Sequence, residues 1–258
     1  MRSRLRTAAT ALALLAGAGL GLAPIAEPVW RAQRGREPAL RLQTAAAAGQ
    51  GVTLALLGGF RALVADVAWV RMYALWERRD LPAVETLLRF VTSVDPRPVY
   101  FWLNGARIVA YDFPVWRIAA AGGHDAVPAE VQQRLVREHA ALGLRYLGAA
   151  MEQHPRSPDL WVEQANIQLN KLGDLDAAAA SYRRAWECPR GPFFAARLHA
   201  EVLRRAGRAR EALEFLRTLH PKLPPNDDAA RAELVLARIR DLERELRVPP
   251  LLEYRPAR

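Results

Sequence analysis

The sequence predicts an all-α chain, and three observations carry that reading. Alanine and leucine dominate a composition that is 51% hydrophobic and 25% charged. Runs that alternate Val, Ile or Thr with polar residues, from which strands are made, are missing. The second half of the chain is also similar to itself at a fixed interval, the mark of a repeat architecture. At 258 residues there is room for one ordered domain and an N-terminal appendage.

The appendage comes first. Arg2, Arg4 and Arg6 precede residues 7–26, TAATALALLAGAGLGLAPIA, which carry no charge. A segment of this kind is a secretory signal peptide or a signal anchor. About 20 residues just reach across a hydrocarbon core, but the Ala and Gly content makes the stretch weakly hydrophobic, and Pro24 closes it. Ala16-Gly17-Ala18 offers a cleavage site, whereas later choices put Pro24 or Glu27 at the scissile bond. Residues 1–27 are therefore expected to form an N-terminal hydrophobic helix. The favoured reading is an uncleaved anchor in a bacterial inner membrane, with the body facing the periplasm. A secreted or periplasmic body after signal cleavage, and a cytosolic body, are the alternatives. Residues 28–50, rich in Arg, Pro, Gly and Ala, read as a linker. Within it, Trp30 beside Arg31 suits a membrane interface.

The body, residues 51–258, opens with FRALVADVAWVRMYALWERR, a helix with Val64, Val67, Ala68, Trp69, Met72, Leu75 and Trp76 on a wide apolar face. Arg61, Asp66 and Arg71 argue against a second membrane span. RRDLPAVETLLRFVTSVDP supplies a turn, an apolar helix face and a terminal Pro96, and VYFWLNGARIVA reads as the next helix. Pro114, Gly122, Gly123 and Pro128 then predict an insertion or broken helix at about 111–128. Helix signals resume in AEVQQRLVREHAALGLRYLGAAMEQ, as one long helix or two short ones.

Next come the two matched segments. Leu169 aligns with Leu203, Gly173 with Gly207, Ala178 with Ala212, Tyr182 with Leu216 and Ala185 with Leu219, each pair 34 positions apart. Pro155 stands 34 before Pro189, so the register extends upstream. At the far end Asn226 or Asp227 is expected to cap a helix through Leu246, with Arg238, Arg240, Asp241, Arg244 and Glu245 on its polar outer face and Pro249-Pro250 as its stop. Eight or nine helices result. Trp69, Trp76, Trp102, Trp161 and Trp186 fall on apolar faces and are expected in the core, while Trp116 falls in the interruption.

KLGDLDAAAASYRRA and RAGRAREALEFLRTL resemble the turn and second helix of the tetratricopeptide repeat family, whose period is 34 residues. The match is weaker in the first helices, where Val162, Ala165 and Asn166 stand in place of the usual Trp, Leu and Gly. LGGFRALVADVAWVRMYALW resembles the opening of membrane-associated bacterial proteins of that family. The resemblance implies an α-solenoid of antiparallel helix pairs, with Ala178 and Ala212 permitting close helix approach beside Tyr182 and Leu216. It also implies a non-catalytic scaffold or adaptor that binds a protein or peptide, an acidic one among the options, in the solenoid groove. By register with the family, Glu163, Ile167, Asn170 and Lys171 line that groove from one repeat, and Arg197, Glu201, Arg204 and Arg205 from the next. Asn with Lys or Arg there could grip a peptide backbone and a carboxylate. The same pattern is also that of a solvated helix face laced by i,i+4 pairs such as Arg197 with Glu201.

The net charge of +10 is carried almost wholly by arginine, since lysine occurs only at Lys171 and Lys222. That bias fits a GC-rich bacterial genome. A nucleic-acid or anionic-surface binder is the alternative function, although the arginines are spread rather than interleaved with aromatics. No reaction is signalled. His124, His139, His154, His199 and His220 lack metal-ligand spacing, and no nucleophile elbow or Walker loop occurs, so no metal, cofactor or catalytic residue is assigned. Cys188 reads as packing rather than as a nucleophile. A remote alternative is an enzyme using Asp112, His124 and Asp125 in the 111–128 interruption.

Overall fold

The computed structural model describes residues 59–224 and 227–256, all within one compact unit, Thr53–Arg258. The hydrophobic segment expected at 1–27 and the linker at 28–50 lie outside the described residues. Helix α1 is Arg61–Glu77, α2 Leu81–Val94, α3 Val99–Arg107, α4 Phe113–Ala120 and α5 Ala129–Gln153. Helix α6 is Pro158–Ile167, α7 Leu175–Glu187, α8 Phe193–Arg205, α9 Ala209–Leu219 and α10 Ala232–Glu245. Because a π turn, Ile108–Asp112, joins α3 to α4 without a break, these ten segments make nine rods among the described residues, and no strand occurs there. A second π turn, Gln168–Leu172, extends α6.

Each rod packs on its neighbours in the chain, with α1 on α2, α6 on α7, α7 on α8, α8 on α9 and α9 on α10. The long α5 is the exception, since it touches α3, α4, α6 and both π turns. Helix α3 also reaches past α5 to touch α6.

Local chemistry sets the boundaries. Asp80 and Asp174 cap α2 and α7 through carboxylates that accept the N–H groups of Ala83 (3.2 Å) and Ala177 (2.9 Å). Gly173 (φ +67) and Gly207 (φ +78) end the preceding helices in the left-handed conformation that a side chain disfavours. At the positions 34 apart, Ala178, Ala212 and Ala185 have no exposed surface, and Tyr182, Leu216 and Leu219 are buried beside them. Trp69 and Trp102 are buried, while Trp76, Trp161 and Trp186 pack at the margin of the core.

Two boundaries depart from expectation. The rod begun at Val99 continues through Pro114 to Ala120, so the non-helical stretch is confined to residues 121–128, and Trp116 sits on a helix against Phe113 and Trp76. The π turn explains the survival of the helix. In an α ladder the proline ring collides with the carbonyl four residues back. Here the N–H of Phe113 bonds to Ile108 O, five residues back, and the widened turn gives the ring room. The last helix starts at Ala232 rather than at a 226 or 227 cap. Asp227 instead accepts the Ala229 N–H (2.8 Å) in a tight turn, and Arg231 enters the helix in the left-handed conformation at φ +49.

Candidate functional site

The polar residues of α3 and α6 meet at the two π turns. Arg107, the last residue of α3, places Nε 2.8 Å and Nη2 2.7 Å from the same oxygen of Glu163 on α6. The Glu163 side chain is 3% exposed and the Arg107 side chain 52%, so a half-open cation covers a buried anion. Tyr111, in the first π turn, and Asn170, in the second, face the same depression. Burial raises the Tyr111 phenol above its ordinary value and the Glu163 charge adds to this, whereas the neighbouring Asn170 amide works the other way. Lys171 lies 4.3 Å from the Tyr111 ring centroid, a cation–π distance. Burial lowers its pKa, opposed by the charge of Asp112. Asp112 itself accepts the Trp76 indole N–H at 2.8 Å. Asn166 is held by the Tyr182 hydroxyl, which donates to its Oδ1 at 2.7 Å. Arg107, Tyr111, Glu163, Asn166 and Asn170 together line an open depression of about 440 Å³.

A second cluster lies between α8 and α10. Arg197, Glu201, Arg204 and Arg238 rim a recess of about 170 Å³ whose walls include Leu198, Leu216, Leu234, Val235 and Leu242. Glu201 takes Arg204 at 2.7 Å and Arg238 at 3.6 Å. The Arg204 hydrogen bond holds the Glu201 carboxyl below the usual range against the opposing effect of burial.

The eight residues expected in a groove therefore divide. Asn170 and Lys171 join the first cluster, and Glu201 and Arg204 the second. Glu163 lines the first depression but is spent on Arg107. Ile167 is not a groove residue. It is wholly buried with Trp102, Ala106, Ala140, Leu147 and Leu160, because α3 and α5 close over that face of α6. Arg197 does not pair with Glu201 as the i,i+4 spacing suggested. Its Nη1 donates to the carbonyls of Ala229 (3.0 Å) and Ala230 (3.1 Å), tying down the segment before α10. Arg205 is exposed on α8.

Arg107, Tyr111 and Asn166 were not anticipated. The signal for the first two was present, since Asn104, Arg107 and Tyr111 are polar residues at helical spacing in an otherwise apolar run. Asp112, His124 and Asp125 do not converge. Asp112 binds Trp76, and His124 Nδ1 lies 2.7 Å from Gln132 Oε1. Among the described residues no group of three His, Cys, Asp or Glu side chains is placed to hold a metal ion, and no helix is long and apolar enough to cross a membrane. No protein-family model matches the chain, and no curated protein matches it.

Proposed function

We propose that this chain is a non-catalytic docking scaffold, a tetratricopeptide-like solenoid whose inner face receives an extended segment of a partner protein. The observation that carries the proposal is the depression at the π turns. Helices widely separated in the sequence deliver Tyr111, Asn166, Asn170 and Lys171 to one open surface beside the Arg107–Glu163 pair, with donors suited to peptide carbonyls and to a carboxylate. Supporting it are the 34-residue spacing of Gly173 and Gly207 and the contact between α3 and α6, as stacked helix pairs would make. The basic balance favours a partner that is acidic in part. A nucleic-acid reading is weaker, because Arg89, Arg107, Arg183, Arg204, Arg208, Arg217, Arg240 and Arg244 are all engaged with carboxylates of the chain itself. The sequence of residues 1–27 makes an inner-membrane tether with a periplasmic body part of the same proposal.

The test is affinity capture from membrane extracts with the full chain in detergent, comparing wild type with an Asn170→Ala/Lys171→Glu variant, followed by titration of the captured partner's binding segment. Partners lost from the variant, with its thermal melt unchanged, support the groove. An identical partner set from both proteins sinks it.

A further inference from the structure

Helix α1 is apolar on two opposite faces. Ala65, Ala68, Trp69 and Met72 are buried on the side that packs against α2. On the other side Phe60, Leu63, Val67 and Val70 are 51%, 59%, 61% and 69% exposed, and Ala74 continues the line. A helix that is apolar all round is normally covered all round. The exposed residues stand at 60, 63, 67, 70 and 74, alternating steps of three and four, which is the spacing of a two-stranded coiled-coil seam rather than of a broad core face. Glu77, at the next seam position, ends it.

The charges beside the seam identify what covers it. Asp66 flanks it on one side and Arg71 on the other, both exposed and without an ion pair among the described residues. When two copies of such a helix run parallel, a residue on the first flank meets the residue five positions further along the second flank of its partner. Asp66 and Arg71 are five apart, so a parallel pair makes two reciprocal salt bridges. An antiparallel pair instead sets like flanks against each other, arginine side against arginine side. Valine at 67 and leucine at 63 are also a workable two-stranded core.

We infer that α1 is the seam of a parallel homodimer, covered by the same face of a second copy of this chain and locked in register by Asp66–Arg71 pairs across the interface. Two heptads are at the small end of specific interfaces, for which about 1,200 Å² is the usual lower bound, so association is concentration-dependent. A parallel arrangement starts both copies of α1 at one end, which is compatible with the tether proposed above, but the inference rests on α1 alone.

The full chain in detergent, with Cys188→Ser as background, tests this by oxidative cross-linking of Leu63→Cys and Val70→Cys variants. A parallel seam cross-links each variant to itself. Cross-links only between the two variants when mixed indicate antiparallel pairing and overturn the inference. Sedimentation gives the second measurement. Asp66→Arg is expected to weaken the dimer about tenfold, and Asp66→Arg/Arg71→Asp to restore it. A monomer at every concentration overturns the inference, as does a dimer indifferent to both substitutions, which would place self-association elsewhere in the chain. Flotation of monomeric protein on liposomes that is lost in Val67→Asp would show that lipid covers the face, and overturns it too.

Discussion

Arg107 and Glu163, 56 residues apart in sequence, form an asymmetric ion pair in which two guanidinium nitrogens, Nε and Nη2, converge on one carboxylate oxygen. The carboxylate is buried and the cation half-exposed, so the two partners are not equivalent. Removing the cation strands a buried anion. Arg107→Ala is expected to cost about 2 kcal/mol in urea unfolding, whereas Arg107→Met/Glu163→Leu recovers most of that loss because no charge is left behind. A double variant no more stable than the single one would show that the pair does more than neutralise Glu163.

Glycines on the crossing of α3 and α5 set how closely those helices approach. A Cβ added at Gly143 would lie 2.9 Å from Ala110 Cβ and 3.2 Å from the Ala106 carbonyl oxygen, while one added at Gly148, on the same helix, meets nothing within 4 Å. Gly143→Val is therefore expected to destabilise by about 1–3 kcal/mol, and Gly148→Ala to stabilise by about 0.5–1 kcal/mol through backbone entropy. Thermal melts of the two variants check both signs in one experiment.

Two buried histidines make the stability depend on pH. Burial lowers the pKa of His139, and the Arg117 charge adds to the effect. Burial also lowers that of His199, opposed by its hydrogen bond to the Ala179 carbonyl at 2.8 Å. A histidine held below its unfolded value keeps the native state neutral while the unfolded state takes up protons. Stability is then full above the unfolded value of about 6.5 and is lost as pH falls through it toward the folded value. The Tm is expected to drop between neutral and mildly acidic buffer, and His199→Asn, whose amide nitrogen takes the place of Nδ1 opposite the Ala179 carbonyl, is expected to flatten the drop. An equal drop in wild type and variant would assign the effect elsewhere.

The chain's C-terminal strap closes on Glu243. This carboxylate, 3% exposed, takes Arg217 at 2.7 Å, Arg240 at 2.8 Å and the Tyr254 N–H at 2.6 Å. Burial pushes its pKa up, but the three donors outweigh burial and hold it below the usual range. Its contribution is present above the unfolded carboxylate value and lost as pH falls through the lower folded one. Glu243→Gln is expected to raise amide exchange at Tyr254 and around Leu252, whose carbonyl accepts from Arg217 at 2.9 Å, while leaving α1 to α6 unchanged. Unchanged exchange at Tyr254 would mean that the strap is held by its other contacts, His220 with Tyr254 and Arg217 with the Leu252 carbonyl, without Glu243.

What was legible in the sequence was local. The turn glycines and the alanines 34 apart each act on their own helix pair, and each stands where the pattern put it, whereas the caps fall at Asp80 and Asp174 and not at the 226 or 227 position expected for the last helix. The candidate site was only half legible. Asn170 and Lys171 are placed by their own π turn, whereas Arg107 and Tyr111 come from a different helix pair, and no rule of spacing links residues 107 and 163. Ile167 was misplaced because carrying a register from one helix to another ignores which neighbours cover each.

The π turn at Ile108–Asp112 acts as a phase shifter. An α-helix advances about 100° per residue, so the buried positions Trp102, Ala106 and Ala110 continue toward Arg117 if the winding is uniform. The wider turn takes up one residue, puts Ile118 on the buried side and releases Arg117 to the surface, where it reaches His139 and Glu138. A slip of one position in the hydrophobic period thus looks like a broken helix when read along the sequence. In three dimensions it lets a single rod keep one continuous face against α5.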